Sequence, residues 1–186
     1  MAVACFGSAC FACFAWGTLR HFKRQDKEAQ GTWVISLLSL AGFGVFVWRI
    51  LHGPPSPGWA VGCLLFAASL ALWGWALATT RATPPTLAFT GDEPRLVLDA
   101  GPYRWVRHPF YSAYLLFWTG TAVAQPGPFG WAAVLALGAV YVTAARHEEG
   151  KFARSALAAR YAAYAAGTGM FLPWPGRSRS AGHFVE

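Results

Sequence analysis

Long stretches without a single charged residue constrain this chain more than any other feature. Such stretches are Met1 to Leu19, Gly31 to Trp48, Gly53 to Thr80 and Phe110 to Ala145. Crossing a bilayer takes about 20 mostly apolar residues, so each of the first three stretches is long enough for one spanning helix. The fourth is too long for one span, and "QPGP" at residues 125–128 interrupts it, which predicts a hairpin of two short spans. The sequence therefore predicts five membrane helices.

A soluble helical bundle is the alternative, and the composition argues against it. The chain is 55% hydrophobic and only 12% charged, whereas soluble domains carry about 25% charged residues. A surface helix of a soluble protein needs a polar face, and "WVISLLSLAGFGVFVW" has none. The first stretch also differs from a cleaved signal peptide, because its basic cluster "RHFKRQDK" follows the apolar core. We therefore predict an all-α, polytopic membrane protein with about five transmembrane helices.

The basic residues predict the orientation of these helices. Of the 15 Lys and Arg residues, all except Arg49 lie in residues 20–30, 81–109 and 146–186, which the five-span arrangement places on one side. Because Lys and Arg are enriched in cytoplasmic loops, we expect the amino terminus outside and the carboxyl terminus in the cytoplasm, in a bacterial inner membrane. The net charge of +7 suits an anionic inner leaflet, so no nucleic-acid partner is predicted.

The polar residues collect in the second half of the chain and predict three regions. Residues 1–80 form a three-span membrane scaffold, 81–174 a core with a loop, the hairpin and a cytoplasmic helix, and 175–186 a flexible tail. The helix is expected to continue from the fifth span through about Tyr164, with "GTG" and Pro173 after its end. Cys10 and Cys13 form a single CxxC without a second pair or a nearby His, so no metal site is predicted.

The string "GPYRWVRHPFY" at residues 101–111 is the strongest local signal. Pro109 suits the first turn of a helix, and His108 before it is pushed toward extended backbone, so "RHP" predicts the start of the fourth span. A helix start offers N–H groups and positive potential. The hairpin returns the chain to the same interface at Glu148 and Glu149, and we therefore expect the acid pair beside His108. An interfacial belt is the favoured explanation of Arg104 and Trp105. A belt does not require His-Pro-x-Tyr, and an acid pair that continues from a membrane helix needs a partner, so a functional role is favoured for His108, Glu148 and Glu149.

These groups match the chemistry of S-adenosylmethionine. Carboxylates accept hydrogen bonds from its ribose hydroxyls or its amino group, a helix start suits its carboxylate, and tyrosine rings face a sulfonium by cation–π attraction. A nicotinamide cofactor uses similar groups, although the chain has no GxGxxG sequence and a Rossmann-type site is not supported.

The order of the motifs resembles the isoprenylcysteine carboxyl methyltransferase family. The motifs are "GPYRWVRHPFY", one hairpin, "EEGKF", a helix with "RYAAY" and a closing proline. That family is similar to phospholipid N-methyltransferases and bacterial membrane thiol methyltransferases. The resemblance covers Gly101 to Pro173. It implies an integral membrane methyltransferase that uses S-adenosylmethionine, with a pocket capped by the segment after the last span. The acceptor, a lipid or a small hydrophobic molecule, is expected to enter from the lipid side.

The resemblance also implies roles for individual residues. His108 and Glu148 are the catalytic candidates, and the implied cofactor-binding residues are Gly101, Pro102, Tyr103, His108, Tyr111, Ala113, Tyr114, Leu115, Glu148 and Glu149. The prenylcysteine enzymes carry an Arg for the substrate carboxylate one turn before the acid pair, where this chain has Ala144. Arg146 is then the candidate for substrate binding, and the acceptor group is left open among thiol, amine, hydroxyl and carboxylate. An NADPH-dependent membrane reductase of the sterol-reductase type and a non-catalytic membrane protein with the same fold are the alternatives.

Overall fold

The computed structural model describes residues 2–21, 30–81, 94 and 96–174, except for the side chains of residues 21 and 30–32. Six α-helices lie within these residues: α1 (Ala2–His21), α2 (Gln30–His52), α3 (Trp59–Thr79), α4 (Pro109–Ala124), α5 (Pro128–Ala153) and α6 (Ala158–Ala166). The same residues contain no strand beyond an isolated bridge between Val106 and Gly169. The predicted all-α fold is therefore confirmed. The predicted tail and most of the loop before residue 94 lie outside the described residues.

Four of the described helices are long and apolar enough to cross a membrane. The qualifying segments are Ala2–Arg20, Trp33–His52, Trp59–Thr79 and Pro128–Ala153. They indicate an integral membrane protein. The fourth predicted span corresponds to α4, which is apolar but has only 16 residues and is therefore about 24 Å long. Full crossing by α4, and hence the five-span arrangement, stays a prediction.

The hairpin packs against α3, and this packing fixes the height of α4 in the bundle. The Ser69 hydroxyl of α3 donates a hydrogen bond of 2.6 Å to the Ala113 carbonyl of α4. Phe66 and Phe117 fill the core between the two helices, with ring centroids 5.3 Å apart. The predicted break at residues 125–128 separates α4 from α5, and Arg49 of α2 donates a 2.9 Å hydrogen bond to the Pro126 carbonyl there.

The expectation of one continuous helix through Tyr164 is wrong, because α5 ends at Ala153 and α6 begins at Ala158. Ser155 causes the break locally: its hydroxyl donates to the Phe152 carbonyl and accepts from the Leu157 amide. Serine competes for backbone groups in this way and favours helix ends. The break turns α6 back toward α5, where the Tyr161 ring stacks on Phe152 at 4.2 Å.

The "GPY" string forms a short 3-10 helix at Gly101–Arg104, which packs against the end of α3. Gly101 has a φ of +55°, and a Cβ atom at this position would lie 2.2 Å from the Thr79 hydroxyl oxygen. Only glycine adopts this positive φ without strain and also leaves room for the Thr79 hydroxyl, because it has no Cβ atom. The turn thereby places Tyr103 beneath the start of α4.

Candidate functional site

His108 lies between two carboxylates at the face of the bundle where α4 begins and α5 ends, which we call the site face. Its Nδ1 atom is 3.5 Å from Glu148 Oε2, and its Nε2 atom is 3.1 Å from Glu149 Oε1. Both ring nitrogens donate only in the protonated imidazole. The sequence-based expectation that the acid pair lies beside His108 is therefore met in the structure, and the arrangement favours a charged His108.

Arg107 connects the same acid pair to α6. Its Nε atom donates to Glu149 Oε1 at 2.7 Å, and its Nη1 atom donates to the carbonyls of Ala165, at 3.1 Å, and Thr168. Ala165 lies in the last turn of α6 and Thr168 follows the helix, and the last carbonyls of an α-helix need partners from outside the regular helical pattern. A cation at this end also has a favourable interaction with the helix dipole. Arg107 thus joins the start of α4, the end of α5 and the end of α6.

The segment after α6 packs along the start of α4 and covers the site. The amides of Arg107 and His108 donate to the carbonyls of Gly169 and Met170, at 2.8 and 3.1 Å. The Ser112 hydroxyl donates to the Phe171 carbonyl at 2.8 Å. We call residues 167–171 the cap. Because it is held mainly through backbone groups, its position depends on the path of the chain rather than on particular side chains.

A layer of aromatic rings lies beneath the charged groups. His108 stacks on Tyr111 with centroids 5.6 Å apart, and Tyr111 stacks on Tyr141 at 5.4 Å. The Tyr111 hydroxyl donates a 2.5 Å hydrogen bond to Glu148 Oε1. Phe171 of the cap meets the edges of the His108 and Tyr111 rings. The site therefore combines carboxylates with stacked aromatic faces.

The structure brings some of the candidate residues together and separates others. Five of the candidates lie together at the site face: Tyr103, His108, Tyr111, Glu148 and Glu149. Gly101 and Pro102 belong to the turn that carries Tyr103. Elsewhere, Ala113 is buried against α3, Leu115 points toward Gly138 of α5, and the Tyr114 hydroxyl faces Thr18 and Trp73. Arg146 is exposed. The functional roles of all these residues stay predictions.

Sequence reasoning missed the structural importance of Arg107 and Tyr164. The sequence indicated Arg107 only as part of the "RHP" helix start, and Tyr164 only as the approximate end of the helix after the fifth span. In the structure, the Tyr164 hydroxyl donates a 2.7 Å hydrogen bond to the Tyr103 carbonyl and fastens α6 to the "GPY" turn. A usable signal for Arg107 existed, because two adjacent acids require two partners and "RH" offers two cations side by side.

The electrostatics of the site follow from burial and the two carboxylates. Burial lowers the pKa of His108, but the hydrogen bonds that its ring donates to Glu148 and Glu149, and the charges of these carboxylates, outweigh burial, so the pKa of His108 lies above its ordinary value. Burial, together with the nearby charge of Glu148, raises the pKa of Tyr103. Near neutral pH the site therefore holds a neutral tyrosine and favours a charged imidazole.

We expect the stability contributed by His108 to disappear as the pH rises. Its pKa in the folded protein is above the unfolded value of about 6.5. The contribution is therefore fully present below the unfolded pKa and is lost as pH rises through the folded pKa. The difference in melting temperature between wild type and His108→Gln should be larger at about pH 6 than at about pH 9. A difference that does not change over this range would contradict the charged state of His108.

Comparison of the sequence with known protein families gives a match that includes this site. A family model described as phospholipid methyltransferase matches residues 58–160. No curated protein and no solved structure gives a significant match. The matched region begins immediately before α3, upstream of the motifs at residues 101–111, and includes His108 and both acids. Because the match covers more than half of the 186 residues, the chain belongs to the phospholipid methyltransferase family.

Proposed function

We propose that this protein is an S-adenosylmethionine-dependent methyltransferase of a membrane, acting on a lipid or a small hydrophobic acceptor. The proposal rests on the position of the Glu148 carboxylate. Its carboxylate lies within the family match, beside His108 and Tyr111, with 31% of the side chain still exposed. In the proposed orientation the site face lies on the cytoplasmic side of a bacterial inner membrane, and the amino terminus lies outside.

The residues at the site face fit the chemical groups of S-adenosylmethionine. Glu148 offers a partly exposed carboxylate to ribose hydroxyls or to the amino group. Helix α4 begins at Pro109 without a side-chain cap from His108, and the positive end of a helix attracts a carboxylate. The stacked rings of His108, Tyr111 and Tyr141 form an apolar aromatic floor beneath this carboxylate, with Tyr141 fully inside the bundle. Glu149 is engaged by Arg107 and His108, and its role is to hold His108 in place.

When bound, S-adenosylmethionine would supply a methyl group on a sulfonium cation. The protein then has to align the acceptor with that methyl group and exclude water. The aromatic layer and the cap support both tasks. His108 has both ring nitrogens directed at carboxylates, which argues for a positioning role. For an acceptor that releases a proton, Glu148 Oε2 is the better candidate to take it.

The surroundings of α5 favour an acceptor without a free carboxylate. Ala144, one turn before the acid pair, is completely buried, and Arg146 is exposed rather than directed at the site. A carboxylate at membrane depth without a cationic partner is costly. We therefore favour a lipid amine, a thiol or a hydroxyl over a prenylcysteine carboxylate.

The proposal is tested with detergent-purified protein and two cofactor probes. We expect S-adenosylhomocysteine to raise the melting temperature and NADPH to have no effect, since ligands that bind only the folded state stabilise it. The same protein should then transfer labelled methyl groups from S-adenosylmethionine to host membrane extract. Stabilisation by NADPH alone would favour a reductase, and stabilisation by neither would favour a non-catalytic protein. Efficient methylation of a farnesylcysteine analogue, lost in Arg146→Ala, would overturn the proposed acceptor class.

A further inference from the structure

Arg49, near the end of α2, is a charged residue that the proposed function does not use. Its Nη2 atom donates a 2.9 Å hydrogen bond to the Pro126 carbonyl, in the turn between α4 and α5. Its buried Nε atom has no hydrogen-bond partner among the described residues. A buried donor without an acceptor is costly, and a bilayer supplies little water to relieve the cost. An acceptor from outside the chain is therefore expected at Arg49.

The charge of Arg49 also lacks a counterion in the chain. None of the ion pairs among the described residues includes it. All eight Asp and Glu residues lie in residues 20–30, 81–109 and 146–186, which the predicted five-span arrangement places on the opposite side of the membrane. Charged groups within a membrane protein normally pair with an opposite charge or with backbone carbonyls. One carbonyl bond leaves the positive charge unbalanced, so the expected acceptor is an anion.

A small cavity lies beside Arg49, between α2, α4 and α5. Helix α2 lines it with Val45 and Arg49, α4 with Thr121 and Gln125, and α5 with Gly130. The lining therefore combines the guanidinium with a hydroxyl, an amide and apolar groups. The enclosed part has room for roughly one oxygen atom. A larger anion can thus insert one oxygen there while the rest of it stays outside the bundle.

Exposed tryptophans place this end of the bundle at a membrane surface. Trp48 precedes Arg49 on α2, Trp131 follows Gly130 on α5, and Trp59 begins α3; all three are exposed. Tryptophan is enriched at the level of the lipid headgroups. Arg49 therefore lies at the depth of the phosphate groups of the surrounding lipids, which are the anions nearest to it.

We propose that Arg49 and this cavity bind the phosphate group of an anionic phospholipid, at the end of the bundle opposite the site face. One phosphate oxygen accepts from Nε, and the negative charge of the diester balances the guanidinium. The Gln125 amide is a second donor, because its bond to the Pro54 carbonyl is long, at 3.5 Å. A water molecule would satisfy Nε but leave the charge unbalanced. The lipid fastens α2 to the turn between α4 and α5, and this role does not depend on the proposed methyl transfer.

Three probes that differ in phosphate and in acyl chains test this site. They are dioctanoyl phosphatidylglycerol, dioctanoylglycerol and inorganic phosphate, each added to purified protein in one uncharged detergent at constant ionic strength. The readout is the melting temperature as a function of probe concentration. We expect phosphatidylglycerol to stabilise the wild type most. Arg49→Gln should weaken its apparent affinity by roughly tenfold, as expected for a lost bond to a charged group, whereas Arg49→Lys keeps the charge and should retain most of it.

Val45→Glu tests the site while Arg49 stays in place. Val45 is exposed, lines the cavity and lies one turn before Arg49, and a Glu four residues before an Arg pairs with it on a helix. The new carboxylate should supply the missing anion. We therefore expect Val45→Glu to melt at a higher temperature than Val45→Gln without lipid, and to lose the stabilisation by phosphatidylglycerol. Val45→Gln is the matched control and should keep it.

Arg104→Gln measures the general attraction of anionic lipid to basic residues, because Arg104 is an exposed cation at the site face. It should leave the effect of phosphatidylglycerol unchanged. Equal stabilisation of the wild type by phosphatidylglycerol and dioctanoylglycerol would overturn the phosphate site. So would an effect of phosphatidylglycerol that persists in both Arg49→Gln and Val45→Glu. Equal stabilisation by inorganic phosphate, lost in Arg49→Gln, would overturn a lipid as the source of the anion.

Discussion

Replacing Glu148 with alanine is expected to abolish binding of S-adenosylmethionine while the protein stays folded. The Glu148 carboxylate is partly exposed and lies 3.5 Å from His108 Nδ1, so its loss leaves His108 with its closer partner, Glu149. A hydrogen bond to a charged group contributes about 1.5–3 kcal/mol, so affinity should fall at least about tenfold. Calorimetric titration with S-adenosylhomocysteine measures this loss.

Thr143→Ala is a suitable control for the Glu148 experiment. Thr143 lies on α5 five residues earlier, is exposed, and donates only to the Ala139 carbonyl of its own helix. Its replacement should leave cofactor affinity unchanged. Glu148→Gln separates charge from hydrogen bonding, because the amide oxygen still accepts from the Tyr111 hydroxyl. Unchanged affinity in Glu148→Ala would remove Glu148 from the cofactor site.

Replacing Arg107 with alanine is expected to destabilise the protein by about 3 kcal/mol, the lower end of the range for breaking a buried ion pair. The change leaves Glu149 with His108 as its remaining partner and removes the donor from the carbonyls of Ala165 and Thr168. Because Ala165 lies in the last turn of α6 and Thr168 in the cap, the loss of stability should be concentrated in α6 and the cap. Hydrogen exchange should report faster exchange in residues 158–171.

Arg104→Ala is the matched control for Arg107→Ala. Arg104 lies three residues earlier in the same string and is exposed, so its removal should change the melting temperature little. Arg107→Lys should recover part of the stability, since lysine keeps the charge but lacks the planar arrangement of donors. If Arg104→Ala and Arg107→Ala lower the melting temperature equally, Arg107 does not have the connecting role assigned to it.

Much of the fold could be predicted from the sequence because a helix that crosses a membrane needs about 20 mostly apolar residues. Four uncharged stretches contain five apolar helices, because "QPGP" separates α4 from α5 at the expected place. The proximity of His108 to Glu148 and Glu149 followed from topology alone, since a hairpin returns the chain to the side from which it started. No detailed packing was needed for these predictions.

The parts that could not be predicted depend on local competition and long-range contacts. The Ala-rich run around Ser155 favours a continuous helix by propensity, and only the capping bonds of Ser155 reveal the break. Likewise, nothing in the sequence indicates that Arg107 binds carbonyls about 60 residues later in the chain. The position of Ala113 and Leu115 away from the site, against α3 and α5, depends on the rotation of α4, which α3 fixes through Ser69.

The shortness of α4 has a consequence for the depth of the site. Its 16 residues extend about 24 Å, whereas the hydrocarbon layer of a bilayer is about 30 Å thick. If α4 lies within that layer alongside α3 and α5, at least one of its ends is recessed below the membrane surface. Polar groups at a recessed end have to satisfy one another, as His108, Arg107 and the acids do at one end. At the other end Arg49 donates from Nη2 to the Pro126 carbonyl, while its buried Nε atom has no hydrogen-bond partner among the described residues. A recess at the His108 end would let a lipid present its headgroup without being pulled out of the bilayer.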